Sequence, residues 1–217
     1  MQPIRTDPRR ARCLDALKIL CRIFWGPDMA FCQDVVNGKF VELLQDISDS
    51  FMVDLTSAIE ATVRLVSETK DAEALCAALS DGYVTLFVND IQGTPAPLYH
   101  SCYQESGSRL MGPPAMDMKN RLEIHGLSIS LSGNEPVDHL CIELEYLYYI
   151  LNKGWTESSD TLIREAVQFA GDSMDGWVRR FYEKITGDGR FPFYIIAGQL
   201  LCMIVRILAE SEAYDEK

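Results

Sequence analysis

The chain has 217 residues, of which 47% are hydrophobic and 24% charged, and this composition is typical of a globular protein that folds around its own core without disulfides or metal. Its net charge is −12, and residues 1–27 hold six Lys/Arg against two Asp/Glu, so the remainder carries −16. This negative charge repels nucleic acid and attracts basic peptides, although a net charge of this size can also serve solubility alone.

The N-terminal segment predicts an amphipathic helix over residues 8–25, opened by Asp7 and Pro8. Arg9 and Arg10 form an arginine pair, but charged residues interrupt the apolar positions behind it, so we expect no export signal and a cytoplasmic protein. The seven cysteines form no CxxC pair, and their odd number favours reduced thiols that mainly fill the core.

Hydrophobic periodicity predicts an all-α fold, a bundle of about nine or ten helices. The helices expected in the first part of the chain cover residues 8–25, 28–36 after an Asp28 cap, a short stretch around 40–47, 50–69 and 71–90. In the second part they cover residues 114–125, 134–152 with Gly154 ending the helix, 158–172, 174–186 and 190–211. Residues 126–134 are expected to be an extended connection, and residues 193–209 a buried helix, because Gln199 and Arg206 interrupt a run too short to span a membrane.

Residues 92–114 have no helical period and contain four prolines and three glycines. A linker rarely contains aromatic residues such as Tyr99 and Tyr103, and long loops inside compact domains are often functional. We therefore expect this loop to contribute to a binding site.

A second functional candidate begins at residue 135, in the sequence EPVDHLCIE. If the helix starts here, Glu135, His139 and Glu143 follow one another at i, i+4 and i+8 along one face, and with Asp138 they could hold a divalent ion in an all-α metal-dependent enzyme. Metal sites in helical bundles usually take further ligands from a facing helix, and no E-x-x-H motif is present to supply them.

Helix capping is the alternative interpretation of the same residues. Asn134 can cap a helix, Pro136 suits its first turn, and Glu135 and Asp138 complement the positive end of its dipole. Capping does not explain His139, which can become a cation at a position where the helix dipole disfavours positive charge.

Two motifs in these segments resemble those of the TorD/DmsD family of redox-enzyme maturation chaperones. Residues 135–139 (EPVDH) match the family's E-P-x-D-H motif, and residues 95–103 (PAPLYHSCY) resemble its P-x-P-x-aromatic-x-S-x-aromatic loop. Their order and spacing also fit the family, and the resemblance extends over about residues 10–210. It includes aromatic residues of the C-terminal helices, namely Trp177, Phe181 and Tyr194.

The resemblance implies a single all-helical domain over residues 1–217, with a hinge near residues 127–139 between an N-terminal and a C-terminal part. It implies a chaperone rather than an enzyme, one that binds the twin-arginine signal peptide and the apo form of a molybdenum-cofactor oxidoreductase. Such a chaperone assists cofactor insertion and delays export until its client has folded. The family resemblance also implies a monomer or a domain-swapped homodimer, no cofactor of its own and weak binding of guanine nucleotide.

The residues that the resemblance assigns to the peptide site come from both motifs. They are Pro97, Tyr99, Tyr103, Glu135, Pro136, Asp138 and His139. Carboxylates can bind arginine guanidinium through bidentate hydrogen bonds, and tyrosine rings offer flat faces to apolar groups or to guanidinium planes. The metal-dependent enzyme that would use Glu135, Asp138, His139 and Glu143 remains the alternative function, and an acidic scaffold without an export role is a further one.

Overall fold

The computed structural model describes residues 7–89, 93–104, 111–128 and 135–211. These residues are mainly helical, and their extended pairing consists of an isolated bridge between Tyr99 and His139. The helices are α1 (Pro8–Phe24), α2 (Met29–Val36), α3 (Lys39–Phe51), α4 (Thr56–Glu68), α5 (Ala72–Tyr83), α6 (Pro113–Ile124), α7 (Leu140–Glu157), α8 (Asp160–Gln168), α9 (Asp175–Asp188) and α10 (Pro192–Ala209). The predicted all-α class is confirmed.

The first two helices begin where their capping residues predict. The Asp7 carboxylate accepts a hydrogen bond from the Arg9 amide at 2.9 Å, and Asp28 accepts one from the Phe31 amide at 2.6 Å. These bonds satisfy amide groups that have no partner within the first turn of a helix.

The predicted helix over residues 50–69 is wrong at its N-terminal end. Met52 lies in the left-handed region, with φ of 53°, and ends α3 at Phe51; α4 then starts at Thr56. Periodicity alone misses this break because Phe51 and Leu55 both remain turned towards the core across it.

The predicted start of α7 is also wrong, and so is its predicted end. The helix starts at Leu140 rather than at residues 134–136, and residue 134 lies outside the described residues. Gly154 is buried inside the helix, and a Cβ atom added there would lie 3.0 Å from Ile163 Cγ1. This glycine therefore allows α8 to approach α7 closely, and the helix continues to Glu157.

Two helices continue into π-helical turns. Helix α5 runs on as Val84–Val88, and the turn Phe169–Met174 joins α8 to α9 without a break. The predicted boundary near residue 173 is therefore a widened turn in a continuous helical segment. Such turns are common at functional sites, and the first of the two borders the cleft described below.

Helix α10 is long and apolar enough to cross a membrane by length and composition, and more than half of its residues are buried inside the protein. It packs against α9, α1 and the π turn Phe169–Met174. Its position agrees with the predicted core helix. All seven cysteines are free thiols.

The N-terminal and C-terminal helices share one core, because α1 packs against both α7 and α10. The predicted hinge over residues 127–139 includes residues 129–134, which lie outside the described residues. The hinge therefore stays a prediction.

Candidate functional site

The two sequence motifs meet in space through the isolated antiparallel bridge between Tyr99 and His139. The His100 amide donates to the Asp138 carbonyl at 3.0 Å, and the Leu140 amide donates to the Leu98 carbonyl at 2.8 Å. Backbone hydrogen bonds thus hold the first motif against the segment that leads into α7.

A buried polar network lies behind this bridge. Asp138, which is 0% exposed, accepts a hydrogen bond from the Ser101 amide at 2.8 Å through Oδ2, and its Oδ1 has no partner among the described residues. Glu143 hydrogen-bonds His100 Nδ1 at 2.9 Å and accepts a bond from Trp177 Nε1 at 3.0 Å. Burial raises the pKa of Glu143, while the bonds from His100 and Trp177 act in the opposite direction. The network ties the short 3-10 helix His100–Tyr103 to α7 and α9.

His139 is the N-cap of α7, and it acts as a neutral hydrogen-bond acceptor. Its Nδ1 accepts a bond from the Cys141 amide at 3.2 Å, and its ring stacks on Trp25 with centroids 4.6 Å apart and planes 9° from parallel. Burial lowers its pKa from 6.5 to about 4, although the carboxylates of Glu135 and Asp138 act to raise it. A neutral cap resolves the conflict between a cationic His139 and the helix dipole.

A cleft of about 400 Å³ opens where α1, the π turn Val84–Val88 and the two motifs meet. It is lined by Trp25, Tyr83, Phe87, Val88, Thr94, Pro97, Leu98, Tyr99, Cys102, Glu135 and His139. The lining is mainly aromatic and aliphatic, as in most ligand-binding clefts, with few polar groups to orient a ligand.

Two carboxylates belong to this cleft and its edge. The Tyr99 hydroxyl donates to Glu135 Oε2 at 2.7 Å, and Trp25 Nε1 donates to Glu145 Oε1 at 2.8 Å. Burial and the bond to Glu135 raise the pKa of Tyr99, which keeps its hydroxyl a donor. Among the described residues, no Lys or Arg forms an ion pair with either glutamate. The site therefore offers two negative charges and an aromatic wall.

The structure divides the predicted peptide-site residues into two groups. Pro97, Tyr99, Glu135 and His139 line the cleft, whereas Pro136 is half-buried outside its lining. Asp138 and Tyr103 are buried and do not line the cleft, so neither reaches a ligand in this conformation.

The position of Tyr103 corrects the expectation that both loop tyrosines present their faces to a ligand. Tyr103 is 5% exposed, and its hydroxyl donates to the Pro97 carbonyl at 2.8 Å. The 3-10 helix turns its ring inward, where it packs against Trp177 and Phe181. Sequence shows that an aromatic residue is present in a loop but not the side to which it turns.

Sequence reasoning missed the half of the cleft that lies outside the motifs. Trp25 follows α1 directly and is 42% exposed, which is unusual for so large an apolar side chain. Tyr83 at the end of α5 and Phe87 in the π turn fit the helical period of the predicted helix over residues 71–90, and such a period indicates core positions rather than a cleft. The signal that could have found this surface is a tryptophan placed immediately before the Gly26–Pro27 helix stop.

The metal-dependent alternative is not favoured by the geometry. Glu135 precedes α7, so Glu135, His139 and Glu143 do not share a helical face as predicted. Glu143 is buried against His100 and Trp177, and His139 Nδ1 already accepts the Cys141 amide. Within the described part of the chain, no three His, Cys, Asp or Glu side chains are grouped to hold a metal ion.

Comparison with known proteins places this arrangement in context. Residues 49–183 match the family described as nitrate reductase delta subunit. The chain is 26% identical over 197 residues to the chaperone protein TorD of Aliivibrio salmonicida, and the alignment covers 85% of this chain and 90% of that protein. It is 28% identical over 211 residues to the chaperone protein TorD of Vibrio cholerae El Tor, with 89% and 93% covered. A crystal structure described as a redox enzyme maturation protein from Archaeoglobus fulgidus aligns with 98% of this chain and 96% of its own, at 19% identity and a TM-score of 0.46.

Proposed function

Because this chain belongs to the nitrate reductase delta subunit family, which includes the TorD chaperones, we propose that it binds the twin-arginine signal peptide and the apo form of a molybdenum-cofactor oxidoreductase in the cytoplasm. In this role it keeps the apo-enzyme ready for cofactor insertion and delays export until folding is complete. It is a binding protein and carries out no chemistry of its own.

The observation that carries the proposal is the chemistry of the cleft. A twin-arginine signal peptide presents paired guanidinium groups followed by an apolar run. Glu135 and Glu145 are carboxylates without a basic partner among the described residues, and carboxylates bind guanidinium through strong charge-assisted hydrogen bonds. Tyr83, Phe87 and Val88 provide an apolar surface on the same cleft for the hydrophobic part of the peptide.

The partly exposed Trp25 ring adds a planar surface beside Glu145. A guanidinium group that stacks on an indole and hydrogen-bonds a neighbouring carboxylate satisfies both its π face and its donors. A lysine ammonium has no planar face, so we expect the cleft to prefer arginine over lysine.

Titration of the purified protein with a labelled synthetic peptide tests this function. The peptide carries two consecutive arginines followed by a run of leucine and alanine, and its control is a scrambled peptide of the same composition and charge. Glu135→Gln should weaken binding of the ordered peptide about tenfold, because it removes the charge from a guanidinium partner.

Glu68→Gln is the matched control variant. It changes the net charge by the same amount, and Glu68 is exposed at the end of α4. It should leave affinity unchanged. Equal binding of the scrambled and ordered peptides, or equal loss in both variants, would show that the chain attracts cations without recognising a signal peptide.

Two further properties implied by the family resemblance stay predictions. They are weak binding of guanine nucleotide and the choice between a monomer and a domain-swapped homodimer. Light scattering with and without the client peptide would decide the oligomeric state.

A further inference from the structure

The hydrogen-bonding state of His139 determines which of its ring nitrogens faces a ligand. A backbone amide can only donate, so the Nδ1 atom that accepts the Cys141 amide carries no proton. In the neutral imidazole the proton must then be on Nε2. His139 therefore offers one N–H donor and no second acceptor.

This donor has no acceptor among the described residues, although the side chain is only 3% exposed and lines the cleft. Stacking on Trp25 and the edge contact with Tyr99, with ring centroids 5.3 Å apart, hold the ring in place. The polar groups of these two neighbours are already engaged, since the indole donates to Glu145 and the phenol to Glu135. The Nε2–H group therefore belongs to the lining of the cleft, where a bound ligand can accept its hydrogen bond in place of water.

The surrounding charges select the kind of acceptor that fits. The carboxylates of Glu145 and Glu135 accept hydrogen bonds from Trp25 and Tyr99, the two aromatic neighbours of His139, and they repel an anionic group. Arginine side chains have donors and no acceptor, so they cannot bind Nε2 themselves. The neutral acceptor that accompanies every arginine of a peptide is its main-chain carbonyl.

We infer that His139 donates a hydrogen bond from Nε2 to a main-chain carbonyl of the bound peptide, next to the arginines that Glu135 and Glu145 attract. This inference rests on the proposed function, since it requires a peptide in the cleft. It assigns His139 the role of a neutral donor that sets the register of the peptide backbone, while the two glutamates select its side chains.

Two substitutions separate this role from the capping role of His139. Asparagine is among the best N-cap residues and can still accept the Cys141 amide, but its side chain ends near the position of Nδ1. Glutamine is longer and can present an N–H near the position of Nε2. We expect His139→Asn to keep a thermal midpoint closer to that of the wild type than His139→Gln does. Peptide affinity should fall about tenfold in His139→Asn and by less in His139→Gln.

Ester substitution in the peptide identifies the carbonyl directly. Replacing one amide by an ester weakens the hydrogen-bond acceptor strength of a single carbonyl, and a series of peptides scans the positions around the paired arginines. In the wild-type protein one ester position should weaken binding more than its neighbours. In His139→Asn the same ester position should weaken binding no more than its neighbours do. An ester also lacks the amide N–H, but the loss of that donor affects wild type and variant equally, so it cancels in the comparison.

The outcomes distinguish the inference from the function on which it rests. If the ester profile is the same in wild type and His139→Asn while the ordered peptide still binds better than its scrambled control, the donor role is wrong and the proposed function stands. If the wild-type protein does not distinguish the ordered from the scrambled peptide, both are wrong.

Discussion

Asp138 and Glu143 show how a site motif can be largely structural at the level of single residues. Both side chains are buried and both accept hydrogen bonds from the first motif or from α9. Their carboxylates hold the 3-10 helix His100–Tyr103 in place, which sets the position of Tyr99 on the cleft. The effect of Asp138 on a ligand is therefore exerted through the loop.

Asp138→Ala should lower the free energy of unfolding by about 1–3 kcal/mol, because the buried Ser101 amide loses its acceptor. Asp138→Asn keeps a side-chain oxygen that can accept the bond from the Ser101 amide, so it should lower the free energy of unfolding by less. Urea denaturation of both variants measures the difference. Wild-type stability in Asp138→Ala would mean that the network does not hold the loop.

His139 should make stability fall in mildly acidic solution. Its pKa is about 4 in the folded protein and 6.5 ordinarily, so the unfolded chain binds a proton that the folded chain rejects between these values. The stabilisation that neutral His139 contributes to the free energy of unfolding is complete above pH 6.5. It declines as the pH falls towards 4, by about 1.4 kcal/mol per pH unit for one proton.

Unfolding free energies of wild type and His139→Asn, measured at several pH values in this window, isolate the histidine from the other titrating groups. The stability difference between the two proteins should narrow as the pH is lowered. A pH-independent difference would show that His139 is not held neutral.

At the level of elements, glycines decide how closely the helices approach. Gly154 lies where α7 contacts α8, with Ile163 and Leu162 close to the position of a Cβ atom. Gly187 lies near the end of α9, and a Cβ atom there would meet nothing within 4 Å. The same residue type thus has a packing role in one helix and none in another.

Gly154→Ala should destabilise the protein by about 1–3 kcal/mol, because the added methyl group forces α7 and α8 apart. Gly187→Ala, its matched control, should stabilise it by about 0.5 kcal/mol through lower entropy of the unfolded chain. Thermal or urea denaturation measures both. A loss in both variants would mean that the cost comes from the substitution itself and not from the interface.

The two tyrosines of the loop element should respond differently to truncation. Tyr103→Ala empties a buried site against Trp177 and Phe181 and should cost about 3–5 kcal/mol of stability. Tyr99→Ala should act mainly on peptide dissociation, by about 1–2 kcal/mol, because its ring lies on the cleft. Melting curves and dissociation rates of both variants test this, and a Tyr103→Ala protein of unchanged stability would contradict the inward position of its ring.

At the level of the whole molecule, charge has a long-range role. The chain carries a net charge of −12, and the positive charge of α1 is partly neutralised by acidic residues of α3 and α2. Arg12 pairs with Asp46 at 3.2 Å, and Arg22 pairs with Asp34 at 3.0 Å. A basic peptide therefore approaches a negatively charged surface, and electrostatic attraction accelerates association.

Association of the twin-arginine peptide should slow by about tenfold or more between low and high salt, because mobile ions screen the long-range field. Dissociation should change little, since apolar contacts with the cleft are insensitive to salt. Stopped-flow measurements at a series of ionic strengths separate the two rates. Equal salt sensitivity of both rates would mean that screened ion pairs alone hold the complex.

The sequence by itself determined the features that depend on neighbouring residues. Helical periodicity identified the all-α class and the buried helix α10, and side-chain caps identified the starts of α1 and α2. Both motifs were recognisable because their residues are contiguous. These signals are local, since caps and helical faces arise within a few positions of the chain.

Only the tertiary structure decided how the cleft is composed. It joins Trp25, the π turn Val84–Val88 and the two motifs, and it turns Tyr99 outward while burying Tyr103. It also starts α7 at Leu140, because the preceding residues pair with the loop at Tyr99 and leave His139 to cap the helix. These outcomes depend on contacts between segments that are distant along the chain, and no local pattern of residues encodes such contacts.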